Sequence, residues 1–158
     1  MREADIEDVV AIESAVSAAQ LREELARPWA RLWVARGQDA RAIAFLLAWH
    51  VADEVHVLDV AVHPTQRRQG IARALMNEAL LLAREKHARH ILLEVRRSNG
   101  AAIGLYRAMG FSAMNVRVRY YSNDEDAIEM VLLLDPGTGA TLPGADEVLI
   151  GETPRPKA

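Results

Sequence analysis

Residues 55–95 constrain the fold of this chain more than any other segment. Apolar runs at 55–62 and 91–95 flank an amphipathic stretch, 71–86, whose apolar residues recur at helical spacing. A short apolar run of this length is typical of a strand that is buried in a parallel sheet. Strand, helix and strand therefore predict a right-handed crossover unit with its two strands parallel.

Further elements on both sides of the crossover unit extend the predicted sheet. Their positions follow from apolar periodicity and from turn residues. We expect helical structure at 5–25, with a break near Ser17, and at 99–109, and strands at 31–35, 42–51, 116–121 and 127–134. These elements predict an α+β fold with a mixed central sheet of about six to seven strands flanked by helices.

The strand at 55–62 carries an irregularity. Its apolar residues before position 58 share one parity, and those from position 58 onward share the other. Strand side chains alternate between two faces, so an unbroken strand would turn one of these sets away from the core. The pattern predicts a β-bulge near Leu58 and Asp59.

Composition changes after Leu134. Glycine and proline crowd residues 135–158, where Val148–Ile150 is the main apolar group. A segment of this composition buries too little apolar surface to fix its conformation. We therefore expect one domain at 1–134, which suits a chain of 158 residues, and a mobile tail at 135–158.

Composition also excludes several classes of function. Without cysteine the chain forms no disulfide, no thiolate metal site and no cysteine nucleophile. The five histidines show no metal-binding spacing, so we expect no metal. A net charge of -3 gives no basic field for direct contact with nucleic acid. No apolar run is long enough to span a membrane and the N-terminus lacks a secretory pattern, which predicts a cytoplasmic protein without membrane contact.

The turn that opens the predicted helix at 71–86 has the chemistry of an anion site. It reads Arg67-Arg68-Gln69-Gly70-Ile71-Ala72, and Arg73 follows. Unpaired amides at a helix N-terminus carry partial positive charge and suit a phosphate. Gly70 permits close backbone approach, and the arginines add charge-assisted bonds. A surface loop with solvated arginines explains the same local pattern equally well.

Three further side chains are candidates for chemistry or for ordinary packing. Glu94 interrupts the apolar run at 91–95, where a lone carboxylate is costly to bury, so it is either functional or ion-paired with Arg96 or another basic side chain. Tyr106 is either a core aromatic with its hydroxyl at the rim or a general acid. Asn99 is a good helix N-cap, which explains it without a ligand and is compatible with one.

Two blocks together resemble the GNAT superfamily of acetyltransferases. Residues 67–72 look like its Arg/Gln-x-x-Gly-x-Gly/Ala motif, and residues 98–111 look like its Asn-x-x-Ala-x-x-Leu-Tyr-x-x-x-Gly-Phe block. The resemblance covers 1–134 and implies a GNAT fold, in which a splayed pair of parallel strands forms a cleft for acetyl-CoA. It implies acetyl-CoA contacts at Val60, Ala61, Val62, Arg67, Arg68, Gln69, Gly70, Ile71, Ala72, Arg73, Asn99 and Tyr106.

A narrower resemblance is to the RimI branch, which acetylates the N-terminal alanine of a small-subunit ribosomal protein. Residues 93–96, 119–121 and 125–130 carry it. The resemblance implies that Glu94 is the general base and Tyr106 the general acid. It implies direct transfer from acetyl-CoA to the N-terminal α-amino group of a peptide or protein.

The acceptor side leaves alternatives open. The acidic turn after residue 121 would attract a basic peptide N-terminus, or is only a solvated hairpin tip. The substrate-binding residues predicted in this region are Tyr120, Tyr121, Asp124 and Glu125. Residues 18–24 lack the Pro-Trp-Ser element that is usual in the RimI branch. A lysine or a small-molecule amine as acceptor, and a non-catalytic acyl-CoA-binding or interaction module, therefore stay open as alternatives.

Overall fold

The computed structural model describes residues 1–151, which contain seven strands and four α-helices. The helices are α1 (Ile6–Ile12), α2 (Ala18–Ala26), α3 (Ile71–Glu85) and α4 (Gly100–Ala108). The strands are β1 (Ala30–Arg36), β2 (Ala42–Val51), β3 (Glu54–Val62), β4 (His90–Arg96), β5 (Ser112–Arg117), β6 (Ala127–Leu134) and β7 (Thr141–Leu142). No helix within these residues has the length and apolar character needed to cross a membrane.

All of these strands join one mixed sheet, which confirms the predicted architecture. The strand order is β1-β2-β3-β4-β6-β5, and β7 pairs with β6. β3 and β4 are parallel, whereas the other pairs are antiparallel. α3 connects the two parallel strands, as the predicted crossover unit requires.

The predicted bulge lies at Leu58. Leu47 of β2 faces Asp59, and the next residue of β2, Ala48, faces Val57, so Leu58 has no partner on β2. The extra residue reverses the alternation of β3 and returns its later valines to the same core as Val57. Asp59 is the first residue after the bulge.

The sheet carries a hydrophobic core on each face. α3 covers one core with residues that recur at helical spacing, namely Leu75, Met76, Ala79, Leu82 and Ala83. α1 and α2 cover the other core, where Phe45 and Leu47 meet Ile6, Val9 and Leu21. Each fully buried leucine or isoleucine contributes about 1.5–3 kcal/mol, so these two cores hold both layers of helices on the sheet.

A capping box starts α2 and confirms the break that was predicted near Ser17. The hydroxyl oxygen of Ser17 accepts the N–H of Gln20 at 3.2 Å, and the side-chain oxygen of Gln20 accepts the N–H of Ser17 at 2.9 Å. These bonds satisfy amides that the first turn of a helix leaves unpaired. The segment between α1 and α2 is thereby fixed as a turn, and Glu13 lies in it.

The strand predicted at 116–121 is wrong in its position. β5 ends at Arg117, and the tyrosines at 120 and 121 lie in the turn that follows. Arg119 has a φ of 53°, a left-handed conformation that interrupts a β-ladder, and its N–H donates to Asp126 Oδ1 at 2.9 Å. Both tyrosines therefore project from a loop and not from alternate faces of a strand.

Residues 135–151 are attached to the sheet and to α4. β7 extends the ladder of β6, and Asp146 pairs with Arg107 at 2.8 Å while it accepts the N–H of Ala113 at 2.8 Å. Val148 and Ile150 pack against the core that α3 covers. The domain boundary at 134 and the mobility of the tail stay predictions, and residues 152–158 of that tail lie outside the described part of the chain.

Candidate active site

β3 and β4 pair over only part of their length. Their parallel register runs from Glu54–His90 to Val57–Leu93 and ends there. Beyond that point β3 stays with β2 as far as Val62, and β4 stays with β6 as far as Arg96. The two strands therefore splay apart, as predicted, and the facing edges of their later residues have no strand partner within residues 1–151.

Three adjoining cavities lie where β3 and β4 separate, and we call them the groove, the cleft and the outer pocket. The groove is lined by Val60, Ala61, Val62, Arg67, Arg68, Gly70, Ile71, Ala72, Arg73, Asn99 and Tyr106, among others. The cleft is lined by Glu13, Leu58, Asp59, Val60, Glu94, Arg96, Asn99, Tyr106 and Tyr121, among others. The outer pocket is lined by His56, Leu58, Glu94, Met114, Arg117, Tyr120 and Glu129, among others.

Shared residues mark the two junctions between these cavities. Tyr106 and Asn99 line both the groove and the cleft. Glu94 and Leu58 line both the cleft and the outer pocket. The structure therefore brings Tyr106 and Glu94 to opposite ends of one cleft.

The start of α3 gives the groove its anion-binding character. Gly70 has a φ of 78° as the N-cap residue, and no side chain of residues 1–151 caps the helix, so within the described chain the first amides of α3 stay free. Arg68 adopts a similar left-handed conformation, with a φ of 64°. This tight turn aims the helix N-terminus into the groove, where a phosphate would meet both the amides and the helix dipole.

The arginines of this turn are available to a ligand. Arg67 donates from Nε to the carbonyl oxygen of Val62 at 3.1 Å, which ties the turn to the end of β3. Arg68 and Arg73 are exposed, and no carboxylate of residues 1–151 forms an ion pair with either. Gln69 is exposed and does not line the groove, whereas Gln66 does.

Asn99 combines two roles that the sequence left open. Its Oδ1 accepts the N–H of Ala102 at 3.1 Å, so it caps α4. It also lines the groove and the cleft. The cap fixes the side chain at the junction of the two cavities, and a ligand contact there stays a prediction.

Tyr106 is a buried phenol at the same junction. Its side chain is only 5% exposed, and its ring packs against Phe111 with centroids 5.7 Å apart. Burial raises the pKa of Tyr106 to about 12, and the charge of Asp59 contributes further. The phenol therefore keeps its proton at every physiological pH and is a permanent hydrogen-bond donor.

Glu94 is less buried than its strand predicts. Its side chain is 29% exposed, and Arg117 Nε lies 3.3 Å from Glu94 Oε1. The ion pair that the sequence allowed, with Arg96 or another basic side chain, forms with Arg117, because Arg96 pairs with Glu125 at 3.1 Å. Glu94 is thus a partly exposed carboxylate on the wall of the cleft.

Tyr120 and Tyr121 reach different cavities from the same turn. Tyr120 lines the outer pocket, where the neighbouring carboxylate of Glu94 and then burial raise its pKa. Tyr121 lines the cleft, and burial raises its pKa as well. The two rings meet edge to face with centroids 5.2 Å apart, and the guanidinium of Arg96 stacks 3.8 Å above the ring of Tyr121.

Asp124 and Glu125 occupy the acidic tip of this turn. Glu125 accepts the N–H of Ser98 at 2.9 Å and also the Ser98 hydroxyl. These bonds, together with those from Arg96 and Asn123, lower the pKa of Glu125 to about 2. Asp124 is exposed and has a φ of 60°. Glu125 therefore ties the loop before α4 to the turn, and the substrate-binding roles of both acidic residues stay predictions.

Comparison with known proteins decides the family. The sequence profile of the acetyltransferase (GNAT) family matches residues 2–111. The chain belongs to this family. Its members take the acetyl group from acetyl-CoA, which is therefore the donor of this acetyltransferase.

Named relatives share most of the acetyltransferase chain. The ribosomal protein bS18-alanine N-acetyltransferase of Escherichia coli (strain K12) is 38% identical over 98 residues, which are 60% of this chain and 66% of that protein, just under two thirds of it. A Bacillus subtilis (strain 168) protein that carries the same name provisionally is 34% identical over 137 residues, or 82% of this chain and 90% of that protein. The crystal structure of the ribosomal-protein-S18-alanine N-acetyltransferase from Escherichia coli matches with a TM-score of 0.75 and 27% identity, over 94% of this chain and 95% of that one.

The acetyltransferase carries one cleft residue that sequence reasoning missed as a functional candidate. Asp59 lines the cleft, and burial followed by the charge of Glu13 raises its pKa to about 6. The signal was present, because Asp59 interrupts the apolar run of β3 just as Glu94 interrupts that of β4. Only the bulge beside it was predicted.

Proposed function

We propose that this acetyltransferase acetylates the N-terminal α-amino group of a protein, and that the N-terminal alanine of a ribosomal protein is its acceptor. The observation that carries the proposal is the series of three cavities, with Tyr106 at the groove and Glu94 at the outer pocket. The acceptor named for the Escherichia coli and Bacillus subtilis relatives supports it. Ribosomal proteins are made in the cytoplasm, which we propose as the place of action.

The groove suits acetyl-CoA in both charge and backbone. The free amides of α3 would hold the pyrophosphate, together with Arg68 and Arg73. On the β4 side, the edge of β3 at Val60–Val62 pairs with no strand of residues 1–151, so its backbone groups can pair with the amides of the pantetheine arm. Amides near Ala61 would stabilise negative charge on the thioester oxygen during attack.

The outer pocket and the cleft suit an extended amine acceptor. Leu58 and Met114 give the pocket an apolar wall, and Tyr120 and Glu129 supply polar groups. An N-terminus that enters from this side meets Glu94 before it reaches the groove. The acceptor and the donor therefore approach the cleft from opposite ends, as direct transfer requires.

The chemistry of the cleft favours an α-amine over a lysine. An α-amino group has a pKa of about 8, whereas that of lysine is about 10.4, so far more of the α-amine is free at neutral pH. Glu94 removes a proton from the attacking nitrogen, directly or through a water, and returns it to solvent. Tyr106 donates its hydroxyl proton toward the sulfur as the carbon–sulfur bond breaks.

Thiol release from acetyl-CoA with matched acceptors tests the proposal. The panel contains a peptide with an N-terminal alanine, the same peptide with a blocked N-terminus and one internal lysine, and a small primary amine. We expect the fastest turnover on the first peptide, with the acetyl group located on the α-nitrogen by mass spectrometry. Faster turnover of the lysine peptide or of the small amine contradicts the N-terminal assignment. Acetyl-CoA binding without turnover of any acceptor favours a binding module.

A further inference from the structure

Asp59 lies close to the point where β3 and β4 separate. It follows the bulged residue Leu58, directly after the last β3–β4 pair, Val57–Leu93. Its side chain lines the same cleft as Tyr106 and Glu94. The carboxylate therefore stands where the donor and the acceptor must meet, if the proposed transfer takes place in this cleft.

Asp59 is also a carboxylate without a cation. No basic side chain of residues 1–151 forms an ion pair with it, and its pKa responds to Glu13 but to no arginine. The charged and titratable groups around it are Glu13 before α2, Glu94 and Arg96 of β4, Tyr106 of α4, and Tyr121 of the turn after β5. Arg96 is already engaged by Glu125 and by the ring of Tyr121. A partly buried carboxylate without a partner is costly, so a cation that arrives with the substrate would be stabilised there.

Acetyl transfer from a thioester to an ammonium needs more than one proton acceptor. The amine loses one proton before it can attack and a second proton once the carbon–nitrogen bond has formed. Building on the proposed function, we propose that Asp59 is a second catalytic carboxylate, which receives the acceptor ammonium and takes its first proton, while Glu94 takes the second.

The protons balance over one turnover. Asp59 takes a proton from the ammonium, and the free amine then attacks the carbonyl carbon of the thioester. Glu94 takes the second proton from the nitrogen as the carbon–sulfur bond breaks. Tyr106 gives its proton to the departing sulfur and regains one from protonated Asp59. Glu94, which is partly exposed, releases the remaining proton to solvent.

The electrostatics of the cleft support this division of roles. Burial and the charge of Glu13 raise the pKa of Asp59 to about 6. A base works best when its pKa lies near the working pH, and an ordinary aspartate, with a pKa of 3.8, is a weaker base. After burial, the Asp59 charge is the next cause of the raised pKa of Tyr106. Protonation of Asp59 therefore makes Tyr106 a stronger acid at the moment when the sulfur departs.

The pH dependence of Asp59→Asn and Glu94→Gln separates the two carboxylates. At high pH the amine has already lost its first proton, so Asp59 is no longer needed to remove it. Glu94 is still needed, because the second proton leaves only after the carbon–nitrogen bond has formed. We expect kcat of Asp59→Asn to fall by about tenfold at pH 7, where about a tenth of an α-amine of pKa about 8 is free, and to recover to nearly the wild-type value near pH 9.5. The loss in Glu94→Gln should persist over that range. Two results overturn the proposal. One is that kcat recovers at high pH in Glu94→Gln but not in Asp59→Asn. The other is that the pH profile of kcat of Asp59→Asn runs parallel to that of the wild type.

A third variant tests the link between Glu13 and Asp59, and a binding measurement tests whether the Asp59 variant still binds CoA. Glu13→Gln removes a charge that raises the pKa of Asp59, so the acid limb of kcat should move to lower pH; an unmoved limb contradicts the role of Asp59. Calorimetric titration with CoA shows whether Asp59→Asn keeps its groove intact. The kcat of each variant is compared with that of the wild type on the amine that the wild type acetylates fastest. A preference for lysine would overturn the proposed acceptor, and the recovery of Asp59→Asn would then be expected only as the pH approaches about 10.4, where the lysine amine becomes free.

Discussion

Glu94 faces Glu129 across the β4–β6 ladder, and Arg117 contacts both carboxylates. Arg117 Nε lies 3.3 Å from Glu94 Oε1 and 2.8 Å from Glu129 Oε1. Like charges directly opposite each other destabilise a pair of strands, and the arginine offsets this repulsion. Arg117 thereby keeps Glu94 at the wall of the outer pocket without burying it.

Replacement of Arg117 should expose that repulsion. We expect Arg117→Gln to lower the free energy of unfolding, with a larger effect at low salt. Glu129→Gln in the same background removes one of the two charges and should restore most of the loss. Urea denaturation of the wild type, both single variants and the double variant measures this coupling. Additive effects of the two changes would show that the three side chains do not act together.

Tyr106→Phe distinguishes the role of the hydroxyl from that of the ring. The phenylalanine ring can keep the packing against Phe111, so the groove and the core stay intact. Loss of a general acid costs about 100- to 10,000-fold, and we expect kcat to fall within that range while the Kd of acetyl-CoA is unchanged. Steady-state kinetics and calorimetry measure the two quantities. Full turnover of the variant would remove Tyr106 from the chemistry.

Arginines at the two ends of α3 test the phosphate site. Arg68→Ala and Arg73→Ala each remove one charge at the start of the helix, and each should raise the Kd of acetyl-CoA by roughly tenfold or more at low salt. The effect should shrink as salt is added, because screening weakens exposed charges. Arg84→Ala makes the same change at the far end of α3, where Arg84 donates to the Gly139 carbonyl, and is the matched control. Equal affinities of all three variants would exclude this site.

Glu125 should behave as a structural residue. Its bonds to Ser98 hold its pKa at about 2, below the ordinary value of 4.5, so its stabilising effect is present above pH 4.5 and is lost as pH falls toward 2. We expect Glu125→Gln to melt below wild type at pH 7, with a difference that shrinks at pH 3. Asp124→Asn at the exposed tip is the control for thermal stability. Identical melting curves of wild type and Glu125→Gln would contradict this role.

Features that depend on consecutive residues were predictable from the sequence. The crossover unit follows from two apolar runs and an amphipathic helix, and the bulge at Leu58 follows from a change of parity within one strand. The cap at Asn99 follows from a local preference. In each case the pattern and its structural cause lie within a few residues of each other.

Features that depend on distant segments were not predictable. The partner of Glu94 is Arg117 on β5, although Arg96 is closer in sequence. The turn that carries Tyr120 ends the strand early because Asp126 binds the N–H of Arg119. The proton affinity of Asp59 depends on burial and on Glu13, which precedes it by a helix and two strands. Local preference cannot report any of these contacts.

Asp59 should cost stability at the pH where the enzyme works. Its pKa in the folded protein is about 6, above the ordinary value of 3.8, so the folded state binds more protons than the unfolded state between these values. The contribution of Asp59 to stability therefore falls as pH rises from about 4 to about 6 and stays reduced above that range. Asp59→Asn removes this dependence. We expect the variant to be more stable than wild type by about 2 kcal/mol at pH 7.5, allowing for partial exposure of the side chain, and nearly equal to it below pH 4.

Chemical denaturation of both proteins between pH 3.5 and pH 8 measures this difference. Asp53→Asn, at the exposed turn before β3, is the matched control, because its side chain is 56% exposed and pairs only loosely with Arg89 at 3.5 Å. Its free energy of unfolding should follow that of wild type at every pH. If Asp59→Asn is instead less stable than wild type at pH 7.5, Asp59 supports the fold. A variant that gains stability and loses turnover identifies a residue that is retained for its chemistry.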